Sequence, residues 1–127
     1  MSDRSIEVFE QFVVAINAHD VERLASLMTR DHVFVESLGN RVQGSETMRK
    51  GWRGYFEMCP DYWIKVRIQL SKGDTVLATG LAGGTIDLTP WQTPAAFEAV
   101  IHDRLVHEWR VFADNKPVYE ILARRPW

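Results

Sequence analysis

His107, Trp109 and Val111 are the residues whose types and spacing point most directly to chemistry. They occupy alternate positions of a strand-like run, residues 104–114, and successive side chains of a strand point to opposite faces, so these three share one face. The result is an apolar face with one titratable ring. Such a face either closes a core around a satisfied histidine or lines a greasy pocket in which a single group exchanges protons near neutral pH. A metal is not expected, because His102 and His107 fall on opposite faces of their segments, His19 and His32 sit at separate turns, and no cysteine or carboxylate cluster supplies ligands. Gly83-Gly84-Thr85 lacks the lysine and helix of a phosphate loop, and no glycine fingerprint opens a strand-to-helix unit. The expectation is therefore a chain without a cofactor.

The 127 residues suit a single domain, 1–127, with a real core and no room for a second domain. Lys and Arg number 15 against 17 Asp and Glu, for a formal charge of -2. The basic residues are scattered, so neither nucleic acid nor a membrane surface is an expected partner. Cys59, the single cysteine, rules out an internal disulfide and stands in Glu57-Met58-Cys59-Pro60 with no base beside it. Glu7 and Glu10 interrupt any apolar run near Met1, so neither a signal peptide nor a span is expected and the protein is read as cytoplasmic.

The elements that must position these residues change character near Pro60, from helical to strand-like. Ile6, Phe9, Val13 and Ile16 recur at helical spacing, and Asp20 can cap a second helix carrying Val21, Leu24, Ala25, Leu27 and Met28. A short strand over 32–37 leads through Gly39 and Gly44 to Ser45, an expected N-cap, and to a third helix with Met48, Trp52, Tyr55 and Phe56 on one side. Its Gly51 and Gly54 suggest close backbone packing. In residues 62–70 the alternation puts Tyr62, Ile64, Val66, Ile68 and Leu70 on one face and Trp63 on the other, where it suits a dimer contact. Ala78, Gly80, Ala82, Gly83 and Gly84 then predict a strongly bent sheet. Pro90 and Pro94 bracket an expected loop around Trp91, and three strands follow, over 95–101, 105–112 and 118–123. Helices followed by an antiparallel meander make an α+β fold.

In Asn17-Ala18-His19-Asp20, in the spacing from Asp20 to Val33-Phe34-Val35-Glu36, in Gly44 before the third helix and in the run 109–117, the chain resembles the nuclear-transport-factor-two-like superfamily. The likeness spans nearly the whole chain and points to its SnoaL-like and ketosteroid-isomerase-like members. The resemblance implies a cone-shaped bent antiparallel sheet wrapped around N-terminal helices, a cystatin-like α+β barrel with an apolar pocket at its open end, usually dimeric. It also implies that Glu36 corresponds to the isomerases' proton-shuttling aspartate and His107 to the acid that helps hold the enolate oxygen. Phe12 stands where those isomerases carry their oxyanion tyrosine, and a phenyl ring donates no hydrogen bond. The sequence is also similar to limonene-type epoxide hydrolases in Trp109-Arg110 and Asp114, but Val111 occupies one acid position and residues 75–85 hold no arginine or acid. Ser37 adjoins Glu36 but faces away from it and has no partner that would make it a nucleophile.

Two functions follow from these readings. In the first, the chain is a cofactor-free enzyme on a small hydrophobic carbonyl compound, with Glu36 abstracting a proton and His107 donating to the oxygen, in an isomerisation, cyclisation or dehydration. In the second, it is a non-catalytic small-molecule-binding or dimerisation module. Phe12, Phe34, Trp52, Tyr55, Phe56, Trp91, Trp109 and Val111 are the expected binding residues, with core packing as the competing role for the large rings. Geometry decides between the two functions: catalysis requires Glu36 and His107 to converge on one open cavity.

Overall fold

The computed structural model describes residues 3–126. Helix α1 (Asp3–Asn17) lays Phe9, Phe12 and Ile16, all fully buried, against the sheet. Helix α2 (Val21–Ser26) starts at Asp20, whose Oδ1 accepts a hydrogen bond from Arg23 N at 3.0 Å, as the sequence predicts. The intervening motif is a latch. The Asn17 side-chain amide donates to Ile64 O (3.0 Å) and accepts from Ile64 N (2.8 Å), as a neighbouring strand would. His19 bonds Tyr62 O through Nε2 at 2.7 Å and stacks flat on Phe56 at 4.1 Å.

Strands β1 (Met28–Val35) and β2 (Arg41–Gln43) precede helix α3 (Ser45–Met58); strands β3 (Trp63–Lys72), β4 (Thr75–Ile86), β5 (Thr89–His102) and β6 (Leu105–Ala113) follow, and helix α4 (Lys116–Ala123) comes last. The fold is α+β, with one curved sheet in the order β2-β1-β6-β5-β4-β3, open at both edges. Neighbouring strands are antiparallel except β1 and β6, which run parallel. The core lies between the inner face of the sheet and α1 and α3. Trp109 is at its centre, stacked on Phe9 (5.6 Å) and Phe97 (5.5 Å) and tilted against Phe12 at 4.9 Å.

Several elements differ from the sequence expectation. Residues 118–123 are helical, not a strand: Pro117 opens the helix, where its missing N–H costs nothing, and Val118 and Ile121 fall one turn apart facing the core. The segment around Trp91 is strand, not loop. Pro90 and Pro94 are tolerated because that end of β5 pairs with β4 alone, β6 joining only from Ala95 onward. Gly44, at φ +105°, occupies the N-cap of α3, and Ser45 is its first residue. Gly54 faces open space rather than a packed neighbour. Trp63 is half-buried on Gly83, where an added Cβ would come within 2.5 Å of the indole.

Two bulges matter most. Val66 pairs with Gly80 but Ile68 with Thr79, so Arg67 is an extra residue. Beyond it the faces of β3 exchange, and Ile68 and Leu70, expected inside, are exposed. Gly80 permits the crossing, since a Cβ there would lie 1.9 Å from Lys65 O. In β6, Ile101 pairs with Val106 and Val100 with Glu108, leaving His107 as the extra residue.

Candidate functional site

A cavity of about 440 Å³ opens at the end of the cone between α3, α4 and the sheet. Helix α3 presents Met48, Trp52 and Tyr55 to it, one helical face, and Gly51 keeps its rim open. Phe34, Trp91, Thr93 and Val111 form the sheet wall, Tyr62 lies across the floor from Tyr55, and α4 closes a side with Val118, Tyr119 and Leu122. The rings touch one another: Tyr62 meets Tyr55 edge-on at 4.8 Å, Trp91 in a stack at 6.2 Å and Trp52 at 6.5 Å. Neither the Tyr55 nor the Tyr62 hydroxyl has a hydrogen-bond partner among the described residues, and neither is sealed from solvent. Burial pushes both phenols well above their ordinary pKa, so they remain protonated donors.

Glu36 lies on this cavity wall, at the turn between β1 and β2. Its Oε1 accepts hydrogen bonds from Leu38 N (2.8 Å) and Asn40 N (2.9 Å), bracing the turn, and Oε2 has no hydrogen bond among the described residues. No ion pair joins Glu36 to Arg41 among those residues. Ser37 Oγ accepts from Ala113 N at 3.1 Å and helps hold this turn on β6.

His107 does not reach the cavity. As the extra residue of the β6 bulge it turns out of the alternation that places Trp109 inside; its ring stacks on His102 at 4.4 Å and Nδ1 meets Thr29 Oγ1 at 3.1 Å and Asp31 Oδ1 at 3.4 Å. The two histidines expected on opposite faces therefore touch. The core histidine is His32, fully buried beside Phe12, with Nδ1 donating to Val106 O at 2.7 Å. A carbonyl can only accept, so Nδ1 carries a proton, and Nε2 is sealed without a partner among the described residues. Burial pushes the pKa of His32 down.

Of the expected binding residues, Phe34, Trp52, Tyr55, Trp91 and Val111 border the cavity, whereas Phe12, Phe56 and Trp109 are core. Sequence reasoning missed Tyr62 and α4's Tyr119. Pro117 with Val118, Ile121 and Leu122 at helical spacing was the available signal for α4. Cys59 is buried next to Asp61, and burial raises its thiol pKa, which leaves it a poor nucleophile. Among the described residues no three His, Cys, Asp or Glu side chains converge as metal ligands would.

Known structures share this architecture. A putative SnoaL-like polyketide cyclase from Jannaschia sp. CCS1 superposes with a TM-score of 0.84 at 19% identity, covering 98% of this chain and 95% of that one. An LEH-like epoxide hydrolase of M. tuberculosis gives 0.84 at 18% identity, over 97% and 92%. A hypothetical protein with a ketosteroid isomerase-like fold from Catenulispora acidiphila DSM 44928, solved in complex with trimethylamine, gives 0.76 at 18% identity, over 83% of each chain. At these identities the likeness is one of fold. No curated protein matches the sequence. The family model for the SnoaL-like domain matches residues 9–120, nearly the whole of the cone just described, and the chain belongs to that family.

Proposed function

We propose that the chain holds a small, mostly apolar molecule in the cavity between α3, α4 and the sheet. The observation that carries this reading is a mouth of about 440 Å³ walled by rings and aliphatic groups, with two unpaired phenol donors inside. That is the usual make-up of a small-molecule site, an apolar enclosure with a few polar groups to set orientation. A fold relative solved with a small organic molecule supports it. Glu36 and His107 do not form a catalytic couple in this reading, because Glu36 is on the cavity and His107, the bulge residue of β6, is not. The free Oε2 of Glu36 favours a second reading, in which this carboxylate alone is the base of a proton-transfer enzyme acting on a bound carbonyl compound.

A thermal-shift screen of hydrophobic ketones and lactones tests both. A ligand at 100 times its Kd should add about 2.7 kcal/mol, several degrees in midpoint. Gly51→Leu, which crowds the rim and gains about 1 kcal/mol of helix propensity, should abolish the shift without unfolding the protein. Binding that survives Gly51→Leu unchanged would move the site elsewhere. Glu36→Gln should keep the affinity for neutral ketones and lactones under either reading. Under the second it should also lower turnover by about 100-fold to 10,000-fold, and full turnover in that variant removes the base.

We further infer that the protein is a homodimer through the outer sheet face. The Arg67 bulge aligns Phe112, Ala96, Thr79 and Ile68 in one cross-strand row and Leu77 with Leu70 in the next. Phe112 is 49% and Leu70 68% exposed, an apolar surface larger than single scattered residues present. Light scattering at micromolar concentration should give twice the chain mass, and Leu70→Glu with Leu77→Glu should halve it. A wild-type monomer overturns the inference.

A further inference from the structure

We infer that the cavity selects a lipophilic cation, an alkylated ammonium head on an apolar body, an inference that rests on the cavity being a ligand site. Two independent features of the wall point the same way. The first is charge. Among the described residues Glu36 is the one charged side chain on the wall, and no lysine, arginine or histidine of theirs lines it. The phenols stay neutral, held protonated by burial. A carboxylate ligand would therefore enter an apolar enclosure with no counter-charge and one like charge, whereas a cation gains one opposite charge and meets no like one. The bias continues outside: the shallow pocket adjoining the mouth carries Asp114 and Glu120 against Lys116.

The second feature is the ring set. Trp52, Tyr55, Tyr62 and Trp91 all border the same space, with Tyr62 in contact with each of the other three. Aromatic faces carry negative electrostatic potential and attract a cation within about 6 Å of their centroids, most strongly where water is excluded. An alkylated ammonium suits such a wall better than a primary one. It brings methyl or methylene groups to the rings and does not need the hydrogen bonds that a wall of apolar groups cannot supply.

A matched pair of probes tests the inference by titration of tryptophan fluorescence. Benzyltrimethylammonium and neopentylbenzene have the same shape and differ in charge alone. The cation should bind at least tenfold more tightly, and 3-phenylpropanoate should bind more weakly than either. Glu36→Gln should erase most of the cation's advantage while leaving neopentylbenzene unchanged; its amide oxygen can still accept both turn hydrogen bonds, so the turn persists. Trp91→Leu should weaken the cation more than the hydrocarbon. Equal binding of the two probes overturns the inference and leaves the pocket reading standing. If neither probe binds, the inference also falls, and the pocket reading falls with it only where the ketone and lactone screen is equally silent.

Discussion

Trp109→Ala should lower the unfolding free energy by about 3 to 5 kcal/mol, read as a shift of the urea midpoint at constant slope. Trp109 is 1% exposed and touches the rings of Phe9, Phe12 and Phe97, contributed by α1 and β5. Those rings are themselves fully buried and close-packed, so the vacated volume collapses only in part and the lost contacts are not regained. Because Trp109 is not among the residues that line the cavity, the folded variant should bind there whatever the wild type binds. A cost under about 1 kcal/mol would mean that the faces of β6 are assigned the wrong way round.

Acidification should destabilise the protein in a window below pH 6.5, through His32. In the unfolded chain this imidazole takes up a proton near its ordinary pKa of 6.5, whereas in the folded state burial depresses that value. The unfolded state therefore binds more protons inside the window. Stability is level above pH 6.5, falls by up to about 1.4 kcal/mol per pH unit as the pH drops toward the folded-state pKa, and levels again below it. Asp31, Asp61 and Asp87 act lower down. Hydrogen bonds from Thr29, Thr85 and Arg125 hold them below the usual 3.8, so their contribution is present above that value and is lost as the pH falls through the folded-state pKa values. Urea midpoints at pH 7.5 and 5.5 check the histidine. His32→Asn keeps a donor at the δ position for Val106 O but does not titrate, so its two midpoints should differ by less than those of the wild type. Equal differences in the two proteins would sink the assignment.

Helices α1 and α3 and the strands between Pro60 and α4 were legible because their burial follows one period over long stretches: Phe9, Phe12 and Ile16 on α1, Met48, Trp52 and Phe56 on α3; the second helix ends at Ser26, and Met28, expected on it, opens β1. Cavity residues on such uninterrupted elements, Trp52 and Tyr55 above all, could be found from spacing. Errors began where one residue was added. Alternation before and after Arg67 is equally clean, and only the partner strand reveals that the register has slipped, so Ile68 and Leu70 were placed inside. The same slip at His107 put a surface histidine on the face of Trp109, and it hid His32, which β1's irregular pairing with β6 carries into the core. A bulge is a property of two strands, and one strand's sequence does not record it. Helix α4 escaped for a different reason: Pro117 and the helical spacing of Val118, Ile121 and Leu122 signal it, but over eight residues that signal is short enough for a strand reading to compete, and docking on the mouth of the cone decides between them.

The thin attachment of α4 bears on time rather than affinity. Of its eight residues only Val118 and Ile121 are buried, worth about 1.5 to 3 kcal/mol each. The helix is held by little more than these two side chains and the Arg125–Asp87 ion pair just beyond it, and it can lift without disturbing the ladders of the sheet, a local opening below the cost of global unfolding. Excursions of that kind run in microseconds to seconds. For a molecule behind Tyr119 and Leu122, each lifting of this short helix widens the way out beside the open rim, and an occupant that packs on α4 lengthens its own stay by holding the helix down.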